Sequence, residues 1–190
     1  MSQLIIIDVQ KSFFQSEKLD EEILNYSKNF DSVIYIYDTT YCSKLEQYDM
    51  WGSMNKSFIE GDFTPVIIEK QYDFFRDLLD DERYSHDFII KLIKLLITNN
   101  LDNGQELLLE ENGLQSELNE LCDRYNQKTP DFYLQHDTFY LPRDLLVQIK
   151  KLVSSNCVVV GGGLDSCLLE VSILLQSLDI EHTINKEFCY

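Results

Sequence analysis

Two short apolar runs at opposite ends of the chain, each closed by a polar device, constrain the fold more than any other feature. Leu4-Ile5-Ile6-Ile7 ends on Asp8, and Val158-Val159-Val160 runs into Gly161-Gly162-Gly163-Leu164-Asp165-Ser166-Cys167. Each run is long enough for one buried strand and too short for a helix. In an open α/β sheet, ligands bind outside the carboxyl ends of the strands, so Asp8 and the glycine turn would reach one crevice.

The intervening sequence supports that frame. Strands are expected over 32–37, closed by Asp38, over 66–69, closed by Lys70, and over 180–184. A further strand pattern occupies 131–135. Helices are expected over 20–29, 87–98, 106–122 and 166–178. Pro142 opens another, with Leu145, Leu146, Ile149, Leu152 and Val153 on one face. Alternating strands and helices imply an α/β fold with a mostly parallel sheet covered by helices.

Composition narrows the function classes. At 190 residues and 44% hydrophobic, the chain can bury one core, and no repeat or low-complexity linker divides it. A single domain over 1–190 is therefore expected, with about 41–130 as a divergent or inserted stretch. The net charge of −17 argues against nucleic acid and anionic membranes as partners. The apolar stretch 88–97 is broken by Lys91 and Lys94, so no membrane span is expected. The start of the chain runs directly into a strand without a basic region, which does not read as a signal peptide. Cys42, Cys122, Cys157, Cys167 and Cys189 are odd in number and lack close pairing. They read as reduced thiols in a cytoplasmic setting rather than as a disulfide framework or zinc site.

Two residues carry the chemistry. Cys167, after a glycine turn, would lie in the first turn of the last helix, where the positive end of the macrodipole favours a thiolate. Backbone N–H groups around Gly162 and Gly163 could face an oxyanion. Asp8, closing a wholly apolar run, needs a partner or a cleft to offset its desolvation. It could take the thiol proton and return it to a leaving amine. The plainer readings are a buried structural cysteine and an Asp capping a turn.

At this point the residues resemble a family. Ile-Ile-Asp-Val-Gln-Lys-Ser-Phe-Phe at 6–14 resembles the opening motif of the isochorismatase-like cysteine hydrolases, and 161–167 resembles their second motif. The likeness covers about the first forty and last sixty residues. It implies a three-layer α/β/α sandwich, usually oligomeric. The implied chemistry is cysteine attack on an amide-like carbonyl, assisted by an Asp and a Lys. Lys70, in Val-Ile-Ile-Glu-Lys-Gln-Tyr-Asp-Phe-Phe, resembles the family's lysine, whose charge would stabilise the thiolate.

Several positions depart from the family pattern. Leu164 stands where the family commonly has Thr, and the Gly162–Gly163 bond falls where it often has a cis peptide. Asp38 is followed by Thr-Thr-Tyr-Cys, without the histidines of the metal-binding branch. His86, His136 and His182 lie elsewhere, so no metal and no cofactor are expected. Roughly a hundred residues separate Lys70 from Cys167, where one helix, one strand and short loops need about 25–40. A rival register places the equivalent strand at 132–136, with Gln135 or His136 in the lysine's place. Gly162-Gly163-Leu164-Asp165-Ser166 also resembles a pyrophosphate-binding loop, but the 24 residues that follow Ser166 are too few for a nucleotide site. Of the aromatics Phe13, Phe14, Tyr72, Phe74 and Phe75, most are expected in the core and at least one in the crevice near Asp8. Trp51 and Met54 could lid the site or pack a subunit contact.

Two functions are carried forward. One is metal-free hydrolysis of a small amide-like C–N bond by Cys167, Asp8 and Lys70, with Gly162 and Gly163 binding the oxyanion. The other is a catalytically lapsed relative serving as a binding or assembly subunit. Small-molecule substrate and homo-oligomer, or subunit of a larger assembly, are the expected partners.

Overall fold

The computed structural model describes residues 2–9, 17–38, 66–70, 75–99, 114–129 and 143–190. Among these residues five strands form one all-parallel sheet: β1 (Gln3–Ile7), β2 (Ser32–Asp38), β3 (Val66–Lys70), β4 (Cys157–Gly161) and β5 (His182–Ile184), in the order β3-β2-β1-β4-β5. The helices are α1 (Glu17–Ser27), α2 (Arg76–Asp80), α3 (His86–Thr98), α4 (Leu114–Tyr125), α5 (Arg143–Leu152) and α6 (Cys167–Ser177), with a 3-10 turn at Lys186–Phe188.

The order follows from crossover handedness. β1-α1-β2 steps toward one edge of the sheet and β4-α6-β5 toward the other. Right-handed crossovers in opposite directions place their helices on opposite faces. Accordingly Leu4, Ile6, Val33, Tyr35 and Val160 pack with Ile23 of α1 on one face. Ile5, Ile7, Ile34, Ile36, Ile68 and Val159 pack with α3, α4, α5 and α6 on the other. The sheet is thus flanked by helices on both faces, and β1 is buried along its whole length.

α6 is apolar nearly all round because it lies between the sheet and α3, with Leu168, Val171, Ile173, Leu174 and Leu175 buried. α3 turns Phe88, Ile89, Leu92, Ile93 and Leu96 inward and starts on a Ser85 cap whose hydroxyl accepts the Phe88 N–H at 3.2 Å. The stretch between β3 and β4 therefore supplies core helices. Those helices take up the length that made 66–70 look too distant from Cys167, and 66–70 is the strand that pairs with β2.

Three elements have bounds that differ from expectation. α4 runs on to Tyr125 through residues expected to loop. Tyr125 stacks edge-on to Phe88 at 5.8 Å and its hydroxyl donates to Asp87 at 2.8 Å, contacts that hold the last turn. α1 begins at Glu17 and ends at Ser27, and β5 begins only at His182. The expected strand at 131–135 and the first half of the expected 106–122 helix lie outside the described residues.

Phe88, fully buried and in ring contact with Tyr84 and Tyr125, gives the direct test of this core. Phe88→Ala is expected to cost about 3–5 kcal/mol, read as a lowered urea midpoint with an unchanged denaturant slope.

Candidate active site at the carboxyl edge of the sheet

β1 and β4 lie side by side, with Ile7 opposite Gly161. Gly161 has φ +84°, and a Cβ there would lie 2.4 Å from the Ile7 carbonyl oxygen and 2.8 Å from Val9. Glycine is the residue that lets the two strands close here. The next residue on each strand leaves the ladder in a left-handed conformation, Asp8 at φ +47° and Gly162 at φ +48°. For Asp8 that geometry costs on the order of 1–2 kcal/mol, and the surrounding bonds hold it. Its N–H donates to Ile36 O at 2.8 Å, and its carbonyl accepts the Tyr190 hydroxyl at 2.6 Å. Its side chain is fully buried.

Tyr190 ties the two motifs together. Besides the bond to Asp8, its N–H donates to Gly162 O at 3.2 Å and its carbonyl accepts the Leu164 N–H at 3.1 Å. Cys167 is the first residue of α6, and a Cβ on Gly162 would lie 3.5 Å from its Cβ. The Asp8 turn, the glycine loop and the Cys167 thiol therefore share one end of the sheet, where strand order reverses between β1 and β4. That switch point is where open α/β sheets bind ligands.

The loop commits several of its own donors. Ser166 N–H and Leu168 N–H both donate to Gly163 O, at 3.0 and 3.2 Å. With Leu164 N–H held by Tyr190, a pyrophosphate cradle across 163–168 would have to break these bonds. The Gly162–Gly163 peptide is trans. Leu164 and Asp165 face solvent.

Lys70 ends β3 with its Cα paired to Asp38, two strands away from β1. The side chains of Lys70 and Asp38 lie outside the described residues. So do Gln135 and His136, the rival register, as well as Phe13, Phe14, Cys42, Trp51, Met54, Tyr72, Phe74 and His136's neighbours in the expected strand. Phe75 is a core residue. His86 is exposed at the start of α3, and His182 on β5 bonds Ser172 at 2.7 Å, remote from the end of β2. Among the described residues no cluster of His, Cys, Asp or Glu could hold a metal ion.

Two groups in the site had no motif to announce them. Arg76, the first residue of α2, donates from Nη2 to the Cys167 sulfur at 3.6 Å. Glu170, one turn beyond Cys167 on α6, is fully buried and accepts the Phe75 N–H at 2.6 Å. Glu170 was readable in principle, as a single carboxylate inside Leu168-Leu169-Glu170-Val171-Ser172-Ile173. Arg76 carried no such signal.

Three further thiols, Cys122, Cys157 and Cys189, lie among the described residues. Burial pushes the Cys157 thiol up to about 11. Burial also raises the Cys189 thiol, against opposing effects from the Gly161 N–H and Lys186. Cys122 is buried. The chain matches no family model, no curated protein and no solved structure.

Two outcomes follow from this geometry. Tyr190→Phe keeps the ring and the backbone bonds but leaves the Asp8 carbonyl without its hydroxyl donor, an expected loss of about 1 kcal/mol in urea unfolding. Cys157 titrates near 8.5 in an unfolded chain but near 11 when folded. The folded state keeps its proton longer, so stability falls as pH rises through that interval. The wild-type minus Cys157→Ala difference in unfolding free energy should show that slope, and a flat difference would refute it.

Proposed function

We propose that this chain is a cysteine hydrolase of the isochorismatase-like kind, acting on a small amide-like C–N bond in a reducing, cytoplasm-like compartment. The observation that carries the reading is the meeting of the Asp8 turn and the Cys167 loop at the switch point of the sheet, bridged by Tyr190. Helices on both faces of a parallel sheet are compatible with the family's three-layer sandwich. Among the described residues no helix is long and apolar enough to cross a membrane.

In this proposal Asp8 takes the proton from the Cys167 thiol, and the sulfur attacks the carbonyl carbon. The carbonyl oxygen becomes an oxyanion held by the Gly162 and Gly163 N–H groups. As the C–N bond breaks, Asp8 returns its proton to the departing amine. Water then attacks the thioester as Asp8 accepts a proton from it, and as the C–S bond breaks Asp8 passes that proton to the departing sulfur, releasing the acid and restoring the thiol and the carboxylate. Lys70, ending a strand at the same edge, is proposed to contribute positive charge. Such sites are commonly shared between copies of a chain, so a homo-oligomer is part of the proposal.

Leu164 supports a second reading. It is an apolar side chain 37% exposed at the lip of the glycine loop, where the resembling family commonly has Thr. A lapsed relative that binds an apolar partner there, without turnover, would present such a lip.

A panel of small primary amides, assayed for ammonia release, separates the two. Hydrolysis that falls at least 10²-fold in Cys167→Ala and Asp8→Asn, with an acyl-thioester on Cys167 trapped by mass spectrometry, is the expected outcome. No release from any amide, together with a Cys167 thiol no more reactive than a free cysteine, would leave the binding reading standing.

A further inference from the structure

We infer that Arg76 is the cation that holds the Cys167 sulfur as a thiolate, and that Glu170 is the residue that positions Arg76. The inference deepens the hydrolase reading and rests on it for the catalytic consequence, but it is tested on the thiol itself.

Arg76 is half-buried, and among the described residues the Cys167 sulfur is its hydrogen-bond partner. Its Nε is buried without a partner among those residues. A guanidinium withdrawn from water in this way pays desolvation that a counter-charge would offset. The group its Nη2 points at, 3.6 Å away, is a side chain that becomes an anion by losing a proton during the proposed reaction. A thiolate there supplies the counter-charge, and Cys167 also begins α6, where the helix dipole favours the same state.

Position follows from α6 as well. α2 is five residues long and starts at Phe75 without a side-chain cap, so it has little means of fixing its own first turn. The Phe75 N–H is instead anchored on the buried Glu170 carboxylate at 2.6 Å. Glu170 sits three residues from Cys167, so one rigid, buried helix carries both the nucleophile and the anchor of its cation. Among the described residues, the other titratable or charged groups around this end include Asp8 beyond β1, Asp38 and Lys70 at the ends of β2 and β3, Asp165 in the glycine loop, and Cys189 with Lys186 beside the 3-10 turn.

The test follows the reaction of Cys167 with an uncharged disulfide, dithiodipyridine, across pH 5 to 10, reading the Cys167 peptide by mass spectrometry. The uncharged probe removes electrostatic steering from the comparison. Loss of a nearby cation raises a thiol's midpoint by roughly one to three units, while each unit also raises thiolate nucleophilicity by about threefold. Arg76→Gln should therefore react at least about threefold slower below the wild-type midpoint and about threefold faster above it. A purely structural loosening would shift both limbs in one direction. Glu170→Ala should reproduce the crossing and Glu170→Gln, which keeps an acceptor for Phe75, should largely restore the wild-type profile. Glu170→Ala added to Arg76→Gln should change nothing further.

A reactive thiol indifferent to Arg76→Gln but slowed at neutral pH by Lys70→Ala would overturn the inference and leave the hydrolase reading intact. The crossing profile without any acyl-thioester or amide turnover would sustain the inference and sink the hydrolase reading. If Glu170→Ala does not fold, the half-buried end of the network still gives the answer through Arg76→Gln and Arg76→Lys, the latter expected to keep most of the low-pH rate.

Discussion

The contact on which the rest of the site depends is the approach of β1 to β4 at Ile7 and Gly161. A Cβ at Gly161 would lie within 2.4 Å of a backbone oxygen, which no side-chain adjustment can relieve. With glycine there, the two strands stay paired to their last residues and then both chains turn away in left-handed conformations. Those turns leave the Asp8 turn and the glycine loop side by side at the carboxyl end of the sheet. Among the described residues the other non-glycine positions with positive φ are Asn126, Asn156 and Asp179, residue types that tolerate this region in turns. Asp8 differs in being fully buried. Strain of that kind in a buried carboxylate is what functional sites hold in place with surrounding bonds, and here Ile36 and Tyr190 provide them.

The opposite pole of the sheet shows what a purely structural end looks like. Gln3, at the start of β1, donates to Ser32 Oγ and to Leu152 O, and accepts from Ser154. All of its amide capacity goes into closing the bottom of the sheet onto the end of α5. The carboxylate at that end, Asp31, accepts the Ser2 N–H and hydroxyl, and the thiol there, Cys157, is fully buried at the start of β4. The two poles of β1 are thus divided, one for closure and one for chemistry, as the direction of a parallel sheet leads one to expect.

Much of this was legible because it is local. Continuous β-branched runs mark β1 and β4, spacing of apolar residues marks α3 and α6, and a polar residue at the end of each apolar run marks the edge where chemistry gathers. What was not legible depends on chain-distant pairs. Tyr190 meets Asp8 across 182 positions, Arg76 meets Cys167 across 91, and Phe75 meets Glu170 across 95. No periodicity encodes such contacts. Residues 66–69 were expected as a strand, but spacing argued against Lys70 as the family's lysine because loop-length expectations assume one helix per crossover. The chain instead routes that crossover through α2, α3, α4 and α5. Closing a longer connection costs only a little more entropy, and α3 and α4 recover it by burying Phe88, Leu92, Leu118 and their neighbours.

The charge balance of the whole chain makes the placement of Arg76 consequential. A formal charge of −17 opposes any further negative charge, including a thiolate. That opposition is mostly long-range, however, and at physiological ionic strength exposed charges are screened beyond about 8 Å. A guanidinium 3.6 Å from the sulfur acts well inside that length, in surroundings where water is partly excluded. One contact cation can therefore outweigh many distant carboxylates. It does so only if it is held still, because a long flexible side chain in water would spend most of its time elsewhere. The buried Glu170–Phe75 bond supplies that fixity from the same helix that carries the thiol. An acidic chain can thus keep a solubilising surface and still support an anionic sulfur, provided the local cation is anchored as rigidly as the nucleophile.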